Sequence, residues 1–458
     1  MKVVIAGGTE LSFQFAKALT KDNDVTVIVD NFKTADLFIQ LDLQVVTGSS
    51  TSLAVLQESK IADANAFIAC AHSDEINVIS CLAVKQISRA RTFCFVNKEH
   101  YFKTFAGELG EQLAIDSIIW PEMFLGRDIA DIIAVPGAID VKFFGNEDLK
   151  LLEFRATKLE HGIGKELREL NIPKGVLAVS VIRNTEVIIP NGLTKIQWND
   201  KIIFVGHANP MKIIETRFRP DNDKNLNVVI IGGGNVGFNL CKALEPYKHI
   251  HITLVESNEA RAQFLSTELS DNVLILNANG SDPETLKGIN LSDCDCLVAL
   301  TGSDERNLFV SMQAKLHKAQ KIITRAHKID NIDFFEKLGI DVAVSSQINV
   351  VQSITKEISE KAADIYTFIE KGKAEIREIV LPEKFPTTVI MDLKLPEGII
   401  ITAIKRGNKT IVPSGQDRIK ENDRLRFFCA TGKGDAINGF ITETIRNYAI
   451  AKENGSNK

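Results

Sequence analysis

Residues Asn227 to Gly237 read N-V-V-I-I-G-G-G-N-V-G, an apolar run that meets three glycines and then a fourth. A short β-branched run of this kind predicts a strand over Val228–Ile231, buried on both faces. The spacing Gly232-x-Gly234-x-x-Gly237 predicts a tight turn into a helix over Asn235–Leu244. The glycines differ in what they allow. Gly232 permits the turn, Gly234 lets backbone N–H groups approach a pyrophosphate, and Gly237 lets the helix pack closely on the strand. The helix N-terminus adds positive partial charge. Glu256 ends the next apolar run, placed to accept hydrogen bonds from a ribose diol and to repel a 2'-phosphate. NAD(H), ADP or ATP is therefore favoured over NADP(H). The competing reading is a purely structural turn with a solvated Glu256, but strand, helix and acid in register favour a nucleotide.

Downstream the alternation continues. Strands over Ile250–Val255, Val273–Leu276, Cys296–Leu300 and Lys321–Thr324 are separated by helices over Glu259–Glu268, Pro283–Lys287 and Arg306–Leu316. Short apolar strands joined by helices indicate a parallel, doubly wound α/β sheet.

The chain then proves to repeat itself. Lys2 to Ser12 aligns with Asn227 to Gly237; A-C-A-H-S-D-E-I-N ending at Asn77 answers A-L-T-G-S-D-E-R-N ending at Asn307. V-I-I-P-N-G-L-T around Pro190 answers T-I-V-P-S-G-Q-D around Pro413, and W-N-D-K-I-I-F-V from Trp198 answers E-N-D-R-L-R-F-F from Glu421. A common order of landmarks marks a tandem duplication of a two-part unit. In the first copy the glycine positions hold Gly7, Thr9 and Ser12, so two Cβ atoms stand where the second copy has none. Asp30 keeps an acid at the end of strand Val25–Val29. The first copy is expected to have lost or weakened binding.

The second part of each unit has short β-branched runs broken by Pro and Gly, with a helix expected over Ile163–Leu170. This predicts a small α+β domain. Between the two parts lie helical stretches, Glu122–Ala134 and Ile348–Ala363, as crossover or dimerisation helices. The S-D-E-x-x-N stretches from Ser73 and Ser303 also fit helix starts, and the P-x-G turns fit plain hairpins.

Composition bounds the rest. The chain has 458 residues, enough for several domains, and a formal net charge of -5, with no basic field to attract nucleic acid. No apolar run reaches membrane-spanning length, and the N-terminus lacks a signal-peptide core, which predicts a cytoplasmic protein. Seven cysteines stand singly in apolar runs, apart from Cys294-Asp-Cys296, and read as reduced core residues rather than metal ligands. His249-Ile-His251 lacks further ligands, and His72, His100 and His327 read as surface or satisfied residues.

With these landmarks the chain resembles the TrkA family, the regulatory subunits of Trk-type potassium uptake built from tandem RCK (regulator of potassium conductance) units. The resemblance implies a Rossmann-like domain over 1–122, a crossover helix over 123–138 and an RCK C-terminal, TrkA-C-like α+β domain over 139–222. The same series follows over 225–346, 347–365 and 366–450. It implies a nucleotide, NAD(H) or ADP/ATP, chiefly at the second Rossmann-like domain. There Gly232, Gly233, Gly234, Asn235, Val236 and Gly237 would hold phosphates and Glu256 the adenosine ribose. Asn279 and Ser281 would lie near the adenine, Thr301, Gly302 and Ser303 would close over the ligand, and Arg325 would neutralise phosphate charge. Asn279 and Ser49 stand where the family usually has Asp, and Val96 where it has a phosphate-facing Arg. Weaker first-site candidates are Gly7, Gly8, Thr9, Glu10, Leu11, Asp30, Thr51, Ser73 and Lys98. The implied partner is a membrane potassium-translocating subunit of the TrkH/TrkG type, with the regulator a peripheral homo-oligomer, a dimer of dimers, at the inner face of the membrane.

An NAD-dependent oxidoreductase is the rival from another class. It would need a proton-transfer group, and no Ser/Tyr-x-x-x-Lys pairing, His/Asp relay or catalytic metal spacing stands out. A degraded second copy of both domains suits a ring-forming regulator better than an enzyme. A regulator of a different cation channel or antiporter is the third reading.

Overall fold

The computed structural model describes residues 1–20, 22–113, 115–144, 149–184, 186–218, 225–289, 291–358, 365–369 and 372–455. The chain divides into two compact units, Met1–Ala130 with Asn225–Ala363, and Asp131–Lys224 with Asp364–Lys458. The first unit thus joins the two α/β copies and the second joins the two α+β copies.

In the first copy β1 (Lys2–Ala6), β2 (Asp24–Val29), β3 (Gln44–Thr47), β4 (Ala66–Ala69), β5 (Arg91–Phe95) and β6 (Ser117–Ile119) form a sheet in the order β3-β2-β1-β4-β5-β6. All its pairings are parallel. The strand order reverses between β1 and β4, so the crevice beyond their carboxyl ends is where such a sheet takes a ligand. In the α+β part β7 (Ala138–Phe143), β8 (Leu149–Arg155), β9 (Val176–Arg183), β10 (Glu186–Ile188) and β11 (Lys201–His207) pair antiparallel in the order β10-β9-β11-β8-β7.

The second copy repeats this course. Strands β12 (Leu226–Ile231), β13 (Ile250–Glu256), β14 (Val273–Asn277), β15 (Cys296–Ala299), β16 (Lys321–Arg325) and β17 (Val342–Val344) take the order β14-β13-β12-β15-β16-β17, again all parallel. In its α+β part β18 (Ile365–Ile369), β19 (Ala374–Val380), β21 (Ile399–Arg406), β22 (Lys409–Ile411) and β24 (Arg424–Ala430) form an antiparallel sheet, and β20 (Thr388–Val389) pairs with β23 (Arg418–Ile419). The two antiparallel sheets share a core, in which Leu149, Leu151 and Val205 cluster with Ile369, Ile376 and Phe428.

Two expectations change. In place of a helix over Ile163–Leu170 the chain forms a 3₁₀ turn at Leu167–Leu170, preceded by another at Leu159–His161, with Ile163 and Glu166 bridging to Ile196 and Lys195. Gly162 and Gly164, both at positive φ, break any continuous helix there. The P-x-G stretch from Pro190 is a turn closed by its own side chains rather than a simple hairpin. Asn191 Oδ1 accepts the Leu193 N–H at 2.9 Å and Thr194 Oγ1 accepts the Asn191 N–H at 3.0 Å.

The crossover helices join the two copies of the first unit. The second helix is described over Ser346–Ile358, the rest of its expected length lying outside the described residues. Its Val350, Val351, Ile354 and Ile358 recur at helical spacing and are buried in the core of the first sheet, in one cluster with Val3, Ile5, Phe15 and Phe95. The first crossover helix, Pro121–Ala134, lies in turn against the helix Asn235–Leu244 of the second copy. A Cβ on its Gly126 would come within 2.9 Å of Asn239 Cβ and of the Leu240 nitrogen. A second tie is the ion pair Arg91–Glu357 at 2.8 Å. Ile354→Ala is expected to cost roughly 2–5 kcal/mol through the cavity it leaves, measured by urea unfolding of the full chain.

Candidate nucleotide site

At Gly232 the chain leaves β12 with φ +114, and a Cβ there would meet the Leu300 carbonyl oxygen at 2.8 Å. Only glycine fits such a crossing without strain. At Gly237 a Cβ would stand 2.1 Å from the Gly232 carbonyl oxygen, so this residue lets the first helical turn close on the loop. Gly234, the N-cap, has open space where a Cβ would be and no side-chain cap on the helix. The first-turn N–H groups therefore have no side-chain cap.

Glu256 is fixed by backbone. Its Oε2 accepts the Gly233 N–H and its Oε1 accepts the Asn258 N–H, each at 2.8 Å. Arg261 Nε donates to the Gly233 carbonyl at 2.8 Å, and its guanidinium lies 4.7 Å from the Phe264 ring centroid. Burial draws the Arg261 pKa below the usual arginine range, opposed by Glu256 and by Glu99 of the first copy. Asn279 Oδ1 accepts the Ser281 N–H at 3.1 Å, closing the loop that follows β14. Val236 is buried, so it presents backbone alone.

The S-D-E-x-x-N stretch is mainly a structural clasp. Ser303 Oγ accepts the Arg306 N–H at 3.4 Å, as a helix cap. Asp304 takes the N–H groups of His327 at 2.7 Å and of Lys328 at 3.3 Å, and His327 Nδ1 lies 2.9 Å from the same carboxylate. Burial pushes the Asp304 pKa up, but these bonds outweigh it and hold it below the usual carboxylate range. Asn307 is fully buried: its Oδ1 accepts from the Thr301 N–H and hydroxyl, both at 2.7 Å, and its Nδ2 donates to the Arg325 carbonyl at 3.0 Å. Thr301 and Arg325 are thus tied across the C-terminal edge of the sheet, with Gly302 between Thr301 and the cap.

Arg325 does not stand alone. Its Nη2 lies 2.9 Å from Oε1 of Glu122, and Asn235 Nδ2 donates to the other Glu122 oxygen at 2.9 Å. Asn235 also reaches the Asn97 carbonyl at 3.3 Å. Glu122 and Asn97 belong to the first copy, so the second copy's glycine turn is completed by the other half of the chain. Spacing along the chain carries no signal for either residue, because they lie more than a hundred positions away; Arg261, five residues after Glu256, was within its reach.

The first copy uses the same backbone to different effect. Thr9 caps its own helix, accepting the Ser12 N–H at 3.2 Å, while its hydroxyl donates to the Cys70 carbonyl at 2.9 Å. Ser12 Oγ donates back to the Thr9 carbonyl at 2.7 Å. Gly7 keeps the positive φ, at +140, and Gly8 lies against Thr34. Leu11 packs on the core and Glu10 Oε1 accepts from Gln14 Nε2 at 2.7 Å. Asp30 is exposed at its strand end, and Thr51 Oγ1 lies 2.8 Å from Ser49 Oγ.

Lys98 is bound to Glu75 at 3.3 Å, where Tyr101 also donates at 2.9 Å. The Ser73 hydroxyl, the backbone N–H, Tyr101 and Lys98 together draw the Glu75 carboxyl down to about 2. The residue matching Arg325 is Phe95 and not Val96. Asn77 Nδ2 donates to the Phe95 carbonyl at 2.9 Å, as Asn307 does to Arg325. Phe95 packs on Phe15 inside the core, with ring centroids 5.4 Å apart.

All seven cysteines are buried, and burial raises the thiols of Cys294 and Cys296 to about 12. Among the described residues no group of three or more His, Cys, Asp or Glu side chains is arranged to hold a metal ion.

The duplicated architecture has counterparts among known proteins. The TrkA-N domain model matches residues 3–121 and 228–346, and the TrkA-C domain model matches residues 151–219 and 376–437. The chain belongs to the TrkA family. It is 31% identical over 450 residues to Trk system potassium uptake protein TrkA homolog 1 of Methanosarcina mazei, covering 96% of this chain and all of the relative. Among solved structures it is similar in fold to the GsuK RCK domain, with a TM-score of 0.62 at 19% identity over 96% of this chain and 95% of that one. The GsuK channel bound to NAD gives 0.62 at 20% identity, over 96% of this chain and 79% of that one. Both TrkA-N matches end at the start of a crossover helix, just before Glu122 and at Ser346.

Asn307→Ala is expected to destabilise the second α/β copy by roughly 1–3 kcal/mol, since it leaves the half-buried Thr301 and Arg325 backbone groups without their Asn307 partner. Chemical denaturation followed by circular dichroism measures it.

Proposed function

We propose that this chain is a nucleotide-binding regulatory subunit of a membrane potassium uptake system, with an adenine nucleotide seated at residues 232–237 of the second copy. The observation that carries the reading is the contrast between the two helix N-termini. The Thr9 hydroxyl caps the first, accepting the Ser12 N–H, whereas Gly234 leaves the second with N–H groups and a helix dipole and no side-chain acceptor. In this reading Gly232 to Gly237 hold a diphosphate, and Glu256 accepts from the adenosine ribose. Asn279 and Ser281 flank the adenine, Thr301 to Ser303 form the lip of the crevice, and Arg325 faces the phosphates.

Membership in the TrkA family supports the potassium side, because the matched relative is a Trk system potassium uptake protein. The NAD held by the GsuK channel supports an adenine dinucleotide as one ligand. No described helix is long and apolar enough to cross a membrane, and in this proposal the pore belongs to a separate translocating subunit of the TrkH/TrkG type. The six-segment division of the chain and its assembly as a dimer of dimers are part of the same reading.

Regulation would work by population shift. The nucleotide prefers one arrangement of the assembly, and only that difference in affinity can bias the pore. Catalysis is not required: turnover of NADH with any substrate by the purified chain would overturn the regulatory reading.

Gly234→Asp tests the site. The carboxylate enters space that is open in the protein, so the fold is expected to stand, while negative charge at the phosphate position removes nucleotide-induced thermal stabilisation. Thermal shift without ligand and with NAD, NADH, ADP and ATP reads both effects. Potassium flux through the reconstituted pore complex, titrated with the same nucleotides, reads whether their regulatory effect is lost with binding. Unchanged stabilisation in the variant would place the nucleotide elsewhere.

A further inference from the structure

The helix Phe32–Ile39 of the first copy is held to its sheet by one side. Phe38 is fully buried there, in one cluster with Val25, Val27 and Val29. The opposite side of such a helix is ordinarily polar. Here Phe32 is 78%, Ile39 66% and Leu37 54% exposed, three large apolar side chains within eight residues. Phe32, Asp36 and Ile39 follow at i, i+4 and i+7, so they share one face. Apolar side chains scattered singly over a surface need no explanation, but this density on one short helix marks a contact.

The second copy shows that the fold does not require such a face. Asn31 and Asn258 cap the matching helices in the same way, accepting the N–H of Thr34 at 3.1 Å and of Arg261 at 2.9 Å. The shared cap fixes the register between Phe32–Ile39 and Glu259–Glu268. Buried Phe38 then answers buried Leu265, and exposed Leu37 answers exposed Phe264. Where the first copy has Phe32 and Ile39 the second has Glu259 and Ser266, both exposed, and where it has Asp36 the second has Gln263. The apolar pair therefore belongs to the first copy alone, while the attachment of the helix to its sheet is common to both.

The charge around the face selects what covers it. Asp36 lies between Phe32 and Ile39, Asp30 precedes the helix and Asp42 follows it; all three are exposed, and among the described residues none of them pairs with a cation. Lys33 is the only cation of the helix itself. A second copy of the chain meeting this face across a two-fold axis would bring Asp36 against its own image, and an anionic lipid surface would meet the same carboxylates. A segment that carries Lys or Arg among apolar residues fits instead. Cytoplasmic segments of membrane proteins are enriched in those cations.

We propose that the face formed by Phe32, Asp36 and Ile39 is the docking surface for a basic cytosolic segment, with apolar residues among its cations, of the membrane potassium-translocating subunit. This inference rests on the regulatory reading given above. The apolar side chains provide the buried centre of the contact, and the carboxylates around them attract Lys and Arg, setting orientation and encounter rate. The second copy, with Glu259 and Ser266 in those places, offers no such centre, so each chain docks through its first copy.

The test measures binding of the full-length chain to the Trk-type translocating subunit in nanodiscs of neutral lipid, by biolayer interferometry at several salt concentrations. The double variant Phe32→Ser with Ile39→Ser, and separately Asp36→Lys, are expected to weaken binding by about tenfold or more, as the loss of a buried anchor or the reversal of a contact charge does. Wild-type affinity is expected to fall as salt rises, and that of Asp36→Lys to fall less. Gln263→Lys, the matched change in the second copy, is expected to bind as wild type does. All four positions are exposed, so nucleotide-induced thermal stabilisation is expected to stay as in wild type.

Wild-type affinity retained in the double variant or in Asp36→Lys, or an equal loss in Gln263→Lys, overturns the docking face and leaves the regulatory reading standing. Self-association seen by light scattering, or binding to anionic vesicles that lack the subunit, overturns it as well if the double variant abolishes it, by assigning the face to a second copy or to lipid. A wild-type chain that is stabilised by nucleotide yet does not bind the subunit at all overturns the regulatory reading, and the docking face with it.

Discussion

A helix carrying Val350, Val351, Ile354 and Ile358 along one side cannot leave that side in water at no cost, and its burial shapes everything around the candidate site. The second crossover helix sinks this face into the core of the first sheet, and the first crossover helix lays Gly126 against the glycine-turn helix of the second copy. This exchange makes one compact unit from two α/β copies separated by an α+β domain in the sequence. It also delivers the first turn of one helix, with Glu122, to Arg325 and Asn235 at the glycine turn of the other copy. The composition of the candidate site follows from that packing requirement.

The two copies solve one problem in two ways. A helix that follows the first strand of a parallel sheet leaves N–H groups without intrahelical acceptors. Thr9 supplies a hydroxyl that accepts the Ser12 N–H, the Ser12 hydroxyl donates back to the Thr9 carbonyl, and Phe95 packs on Phe15 in the core. Gly234 supplies nothing, and the corner beyond is polar, with Arg325, Asn235 and Glu122. The same fold therefore caps its first helix with a side chain in one copy and leaves that helix without a side-chain cap in the other, and the difference lies in a few side chains around one turn. The clasp made by Asp304 and Asn307 is kept in both copies, by Asp74 and Asn77, because the sheet edge needs it whether or not a ligand binds.

The strands and helices of the second copy were legible because period and glycine spacing are local properties: the helix Asn235–Leu244 lies where periodicity puts it. The failures were also local. Ile163–Leu170 is apolar and polar at roughly helical spacing, yet two glycines at positive φ and a bridge to Ile196 hold it as turns. Matching Arg325 to Val96 missed by one residue, since alignment by similarity had no access to the Asn77–Phe95 hydrogen bond that fixes the register.

By itself the sequence determined the duplication, the parallel sheets, the glycine turn and its acid, and the loss of glycine from the first turn. These depend on residues near one another in the chain, or on one copy read against the other. Which copy covers which crossover helix, and which carboxylate meets Arg325, was decided only by the tertiary structure. Glu122 and Arg325 are brought together by the burial of helix faces on opposite copies, and hydrophobic burial is non-directional, so no spacing in the chain encodes their meeting.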